Sequence, residues 1–259
     1  MYNSLFYRFG IDAVYLAFDV DPMNAHKVSE IIQTMGLEGV NLTVPFKDTL
    51  FNHMDSLSKT AVQARAINVV TQSDNTLAGH NTDGDGFVQS LSEEGGPEIE
   101  GLQAIILGAG GAARSIASSL LSRGAQRIHF LNRTKARAQT TVETLSQSFP
   151  DAELLVHPLD GAAFSHCAKN SRLVVNCTSG SANTMIDSFD PMGLAPQASW
   201  FDINYWMAHP PGKHACDAIG VQFHDGLGML AHQGALAFEL FTGCSVTGAE
   251  LKAFLLEQA

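Results

Sequence analysis

Apolar and polar positions alternate in period along this chain, and the changes of period mark out its elements. Val14 to Phe18 reads as a strand. Met23 to Met35 carries apolar residues near helical spacing and stops at Gly36, and Gly39 to Val44 reads as a second short strand. Ile67–Thr71 and Thr76–Gly79 flank Ser73-Asp74-Asn75, which predicts a hairpin-like pair. Asp83 to Leu91 then reads as a helix.

From Gln103 the pattern sharpens. Ala104-Ile105-Ile106-Leu107 is a continuous apolar run, the kind buried on both faces of a parallel sheet. Glycines follow it, then a helix from Ala112 to Ser122, a strand from Arg127 to Leu131 and a helix from Lys135 to Ser146. Leu154–His157, Leu173–Val175 and Trp200–Ile203 supply further strands. This βαβ alternation predicts an α/β fold with a doubly wound sheet. Thr178 to Thr184 reads as a loop, and Leu227 to Phe241 as an apolar helix stopped by Gly243. Thr247 and Glu250 match a capping box that opens a final helix, Ala249 to Gln258.

Composition narrows the class. The 259 residues suffice for one large or two modest domains, and 45% hydrophobic content supports a sizeable core. A formal net charge of −11 argues against sequence-blind nucleic-acid binding, which needs a dense basic surface. Cys167, Cys177, Cys216 and Cys244 are widely spaced, so reduced thiols are expected rather than a disulfide framework. No run approaches a membrane span, and no signal-peptide pattern opens the chain. The expectation is a cytoplasmic protein with no membrane or nucleic-acid partner.

Gly108-Ala109-Gly110-Gly111-Ala112-Ala113 follows a strand and opens a helix, the setting a dinucleotide fingerprint requires. The backbone can then approach a pyrophosphate at the positive end of the helix. An NAD enzyme commonly places an acid at the end of the next strand, to hold the ribose 2′-hydroxyl. Here that strand ends in Asn132-Arg133-Thr134, with Arg137 one turn on. Guanidinium groups favour a 2′-phosphate, so the sequence prefers NADP.

Ahead of the glycines lie three polar segments: Asn41-Leu42-Thr43-Val44-Pro45-Phe46-Lys47, Ala66-Ile67-Asn68-Val69-Val70 and Gly79-His80-Asn81-Thr82-Asp83. A lysine and an aspartate at strand ends facing one cleft can form a proton-transfer pair. The bland alternatives are a surface lysine and a helix-capping aspartate. Ten histidines invite a metal, but none sits in HExxH and none pairs with cysteine at zinc-site spacing, so no metal is expected. His80 reads as a solvent-facing or hydrogen-bonded side chain.

Together these segments resemble the shikimate dehydrogenase family. Asn41–Lys47 matches its N-[VL]-T-[VI]-P-x-K motif, Gly79–Asp83 its G-x-N-T-D, Gly108–Ala112 its G-A-G-G-A and Asn132–Arg137 its N-R-T-x-x-R. Val175–Thr178, Asp202–Tyr205 and Asp225–Gln233 match V-N-x-T, D-x-x-Y and D-G-L-G-M-L-x-x-Q. The resemblance implies two α/β domains with the site between them: residues 1–83 plus 226–259 for substrate, and 84–225 as a Rossmann-like NADP domain. It implies Lys47 as general acid/base paired with Asp83. Thr43, Asn68, Asp83, Tyr205 and Gln233 would contact substrate. Gly108, Ala109, Gly110, Gly111, Ala112, Asn132, Arg133, Thr134 and Arg137 would hold NADP, with Ile203 and Gly226 near its nicotinamide end.

The implied reaction is NADPH-dependent reduction of 3-dehydroshikimate to shikimate, in a monomer or homodimer. The alternatives are a quinate/shikimate relative of broader range and a catalytically weak NADP-binding relative. Three departures stand out. The family's opening strand and its Ser-x-Ser-Pro segment are not found, through a start placed too late or a natural shortening. That is expected to expose strand edges and to weaken substrate binding more than chemistry. Val69 replaces a common threonine, and Lys59 stands where an acid is more usual.

Overall fold

The computed structural model describes residues 1–43, 45–178 and 182–257. Val44, residues 179–181 of the expected loop, and Gln258 of the expected final helix lie outside the described residues.

The chain opens with helix α1 (Tyr2–Phe9), which the sequence reading did not anticipate. Its apolar residues Tyr2, Leu5, Phe6 and Phe9 follow helical spacing, and Tyr2, Leu5 and Phe6 are buried. Gly10 ends it in the left-handed conformation (φ 65°). The expected strand Val14–Phe18 is not formed. Val14, Leu16 and Phe18 are 69%, 59% and 60% exposed, and no strand pairs with them among the described residues. An apolar run alone cannot hold an extended segment without a hydrogen-bonding neighbour. The segment is tied only locally: Asn3 exchanges two hydrogen bonds with the Tyr15 backbone, and the Tyr15 hydroxyl donates to Asn41 Oδ1 over 2.9 Å.

The expected helix at Met23–Met35 is a 3-10 turn (Pro22–Lys27) leading into α2 (Val28–Met35), stopped by Gly36 as predicted. β1 (Gly39–Asn41) follows, then the short α3 (Phe46–Thr49), β2 (Ser56–Leu57) and α4 (Lys59–Ala64). β3 (Val69–Ser73) and β4 (Thr76–His80) form the expected hairpin. Asp74 and Asn75 take positive φ (49° and 60°), the turn geometry that suits two antiparallel strands. The first sheet has the order β1-β3-β4-β2.

α5 (Asp83–Glu93) leads into a second sheet, six parallel strands in the order β10-β9-β8-β5-β6-β7. Its strands are β5 (Gln103–Leu107), β6 (Arg127–Asn132), β7 (Glu153–Pro158), β8 (Leu173–Asn176), β9 (Ser199–Asp202) and β10 (Gln222–His224). The intervening helices are α6 (Gly111–Leu121), α7 (Lys135–Ser148), α8 (Gly161–Ala168), α9 (Asn183–Ile186) and α10 (Lys213–Ile219). Alternate residues of each strand point to opposite faces. Ile106, Ile128, Phe130 and Phe201 pack under α5 and α6, while Ile105, Leu107, Leu131 and Trp200 pack with Phe164 of α8 and Cys216 of α10. Burial on both faces explains the unbroken apolar run at Ala104–Leu107.

α11 (Leu227–Thr242) returns across α5 to the first sheet, where Ala231, Ala235 and Phe238 join Val69 and α1 in one core. α12 (Gly248–Glu257) closes the described chain. Its capping box forms as predicted: Glu250 N donates to Thr247 Oγ1 and Thr247 N to Glu250 Oε2. The four cysteines are free. No helix among the described residues is long and apolar enough to cross a membrane.

Candidate active site

Between the two sheets, one polar cluster draws on four segments distant in sequence. Lys47 lies on α3, just after the end of β1, and Asp83 opens α5, just after β4. The Lys47 ammonium donates to Asp83 Oδ2 over 2.6 Å. The aspartate side chain is 6% exposed and the lysine 17%, so the ion pair is sheltered while Lys47 keeps an open side. Asn68 Nδ2 donates to the other oxygen, Asp83 Oδ1, over 3.0 Å, and its Oδ1 accepts from Thr82 N over 2.8 Å. Both aspartate oxygens are thereby engaged and the carboxylate is fixed in orientation.

Gln233 of α11 completes the cluster. Its Oε1 lies 3.3 Å from Asn68 Nδ2, and its amide donates to Leu230 O. Gly86 of α5 makes this approach feasible, since a Cβ there would stand 2.5 Å from the Gln233 backbone nitrogen. Thr43 is exposed, with its carbonyl accepting from Phe46 N. Tyr205 is 49% exposed and packs edge-on against Trp206 rather than joining the cluster. The sequence reading passed over Asn81, which locks the segment from beneath: its Nδ2 donates to Ala66 O and to Ser115 Oγ, both over 2.8 Å, and its Oδ1 accepts from Asp83 N. Its signal was an amide inside a short polar run at a strand end. His80 is hydrogen-bonded to Thr71, as one of its two expected readings has it, and burial holds its imidazole below the ordinary pKa.

The glycine loop joins β5 to α6 at the point where the chain turns to opposite sides of the second sheet. Ligands of doubly wound sheets bind at such a switch point. Gly108 takes φ +103°, and a Cβ on it would lie 3.0 Å from Cys177 O, so only glycine fits without strain. Gly111 stands where a Cβ would lie 3.6 Å from both Lys47 Cβ and Asp48 Oδ1. The loop therefore abuts the lysine. α6 opens at Gly110 without a side-chain cap, which leaves its first amides available to an anion.

At the end of β6, Arg133, Thr134 and Arg137 are exposed and Asn132 is partly buried, with Asn132 Nδ2 donating to Thr134 O. Arg137 Nη2 is 3.5 Å from the place a Cβ on Gly110 would occupy. No acid occupies the strand end, and neither arginine forms an ion pair among the described residues. This donor set, amides beside two guanidinium groups, fits a dinucleotide carrying a 2′-phosphate. On the far side, Gly226 lies against Ile203, with a Cβ on the glycine falling on Ile203 O.

A buried network fixes the neighbouring loop ends. Asp202 accepts from Asn176 Nδ2 over 2.9 Å and from Asn204 Nδ2 over 2.6 Å, while Thr178 donates to Asn176 Oδ1. Burial raises the Asp202 carboxyl against these hydrogen bonds. The two sheets are held together at Arg114, which donates to Ala64 O over 3.0 Å and contacts Asp48.

Known proteins share this fold. The chain matches three family profiles: "Shikimate dehydrogenase substrate binding domain" over residues 1–70, "Shikimate / quinate 5-dehydrogenase" over 90–203 and "Shikimate 5'-dehydrogenase C-terminal domain" over 226–246. It is 33% identical over 257 residues to a shikimate dehydrogenase (NADP(+)) of Geobacter sulfurreducens, covering 99% of this chain and 90% of that protein. Its fold superposes on shikimate 5-dehydrogenase from Listeria monocytogenes, solved with shikimate and NAD, with a TM-score of 0.86 and 30% identity over 98% of this chain and 90% of that one. It also superposes on the shikimate 5-dehydrogenase of Thermus thermophilus, solved with NADP(H) and shikimate, with a TM-score of 0.80 and 30% identity over 96% and 89% of the two chains. With these profiles matched along most of its length and 33% identity over nearly the whole chain, the chain belongs to the shikimate dehydrogenase family.

Proposed function

We propose that this protein is an NADP-dependent shikimate dehydrogenase, reducing the ring ketone of 3-dehydroshikimate to the hydroxyl of shikimate. The observation that carries this reading is the sheltered Lys47–Asp83 pair set directly against the glycine loop.

When bound, NADPH supplies the hydride. The chain's own part is proton transfer and alignment. The Lys47 ammonium carries three protons, and Asp83 takes one of its hydrogen bonds. The others are free to meet the substrate's carbonyl oxygen. As negative charge grows on that oxygen, Lys47 delivers a proton to it, and the neutral amine is re-protonated through its exposed side. Asp83, held by Asn68, keeps the lysine aimed. In the reverse direction Lys47 accepts the hydroxyl proton.

Thr43, Asn68, Tyr205 and Gln233 would line the substrate's polar groups. Asn68 and Gln233 are hydrogen-bonded to each other and Asn68 to Asp83, while Thr43 and Tyr205 are exposed. Gly108 to Ala112 and Asn132 to Arg137 would hold NADP, with Ile203 and Gly226 against its nicotinamide end. Residues 1–83 plus 226–259 then form the substrate domain and 84–225 the cofactor domain. The free cysteines accord with a cytoplasmic enzyme, as a monomer or homodimer.

Lys47→Ala tests the reading. General acid/base catalysis of this kind contributes about 10²–10⁴-fold, so kcat should fall by that factor while NADPH fluorescence titration gives an unchanged Kd. A variant retaining full turnover would remove Lys47 from the chemistry.

A further inference from the structure

We propose that His129, His157 and Cys167 form a binding site for a borderline-soft divalent cation, zinc by the chemistry of its donors. The site lies on the face of the second sheet remote from α6, at the β6–β7 edge beneath α8. Each residue offers one ligand atom, and all three atoms lie within 4.8 Å of one another. His129 and Cys167 are buried, and His157 is half-buried.

The donor set suits zinc: two imidazole nitrogens and one sulfur, three vertices of a tetrahedron. His129 Nδ1 and His157 Nε2 face each other at 3.0 Å. Metal–ligand bonds of about 2.0 Å to nitrogen and about 2.3 Å to sulfur would set these atoms roughly 3.3–3.6 Å apart. The imidazoles need to open by a few tenths of an ångström and the thiol to close by up to about 1.3 Å, which rotamer adjustments supply. Exposed His166, whose ring centroid is 6.4 Å from that of His157, stands at the solvent side of the cluster.

Proton bookkeeping is simple. Cys167 binds the ion as its thiolate and the two histidines bind as neutral imidazoles. The proton shared between the facing nitrogens moves to the outer nitrogen of its ring. The thiol loses its proton to water, so each ion bound releases one proton. No local spacing in the sequence announces this site, because its ligands sit on three separate elements, β6, β7 and α8. The expectation of no metal, drawn from motif spacing alone, does not reach such a site.

Cobalt(II) is the probe, added to the full-length protein under reducing conditions. The expected result is a sulfur-to-cobalt charge-transfer band that saturates at one equivalent and is displaced by zinc. Cys167→Ser should abolish the band, and Cys216→Ser should leave it intact. His129→Asn should weaken binding by about tenfold or more. X-ray absorption of the zinc-loaded native protein provides a reading independent of variants: one sulfur near 2.3 Å with two or three nitrogens near 2.0 Å, by the usual zinc geometry of about those lengths. Absence of the charge-transfer band, its survival in Cys167→Ser, or a zinc shell without sulfur would overturn the proposal.

Discussion

At the scale of single residues, Asp83 is the pivot. It receives Lys47 on one oxygen and Asn68 on the other, within a nearly buried site. Asp83→Asn removes the charge that holds the ammonium and leaves the half-buried Lys47 without its counter-ion. Turnover should fall by about 10²-fold or more, with NADPH affinity preserved, as read by steady-state rates beside fluorescence titration. The arginines make a separable prediction. Arg133→Ala with Arg137→Ala should lower kcat/KM for NADP by about 10–100-fold, equivalent to roughly 1.4–2.8 kcal/mol, and change NAD little. An equal loss for both dinucleotides would remove the 2′-phosphate from their role. Lys47, Asp83 and the arginines were all legible because each stood in a short polar motif at a strand or helix end. Asn81, Asn176 and Asn204 were not singled out as site residues: their importance lies in whom they bond, and single amides give no periodic signal.

Among the elements, α5 connects the two halves of the molecule. It carries Asp83 at one end and packs on α6 and α11 through small residues. Gly86→Ala places a methyl 2.5 Å from the Gln233 backbone. Overpacking of this kind costs about 1–3 kcal/mol and should move Gln233 away from Asn68. The expected readout is a lower melting temperature together with a raised KM for shikimate; an unchanged KM would separate Gln233 from substrate binding.

The other end of α5 is clamped by Glu94, which accepts from His224 of β10 over 2.8 Å and from Lys252 of α12 over 2.5 Å. Burial alone would raise its carboxyl, but these two partners outweigh burial and hold it below the ordinary value. With the folded pKa depressed, the unfolded chain takes up the proton first as pH falls. The stabilisation is present above the unfolded carboxylate pKa and is lost as pH drops through the folded one. Glu94→Gln should therefore destabilise the protein by about 2 kcal/mol at neutral pH, and the deficit should shrink toward pH 3 in melting experiments. Much of the element pattern could be read beforehand, because the hairpin turn, the βαβ alternation and the capping box are local devices. Val14–Phe18 shows the limit. It is an apolar run of strand length, but strand formation is decided by a neighbour, and none pairs with it among the described residues. Conversely α1 carries a helical pattern in Tyr2, Leu5, Phe6 and Phe9 that went unread because it is short and starts the chain.

For the whole molecule, the decisive feature is that the two halves set Lys47 of α3 against the glycine loop of the second sheet. That juxtaposition is what converts a dinucleotide site and a polar pocket into a dehydrogenase. It could be inferred from motif order but not from any local pattern, since it depends on α11 returning to set Gln233 beside Asn68. The most direct test follows NADP reduction at its absorbance band with purified protein, comparing shikimate with quinate and NADP with NAD. The account predicts turnover with shikimate and NADP, faster than with either substitute and abolished in Lys47→Ala. Protein that binds NADPH yet leaves shikimate unoxidised would contradict it.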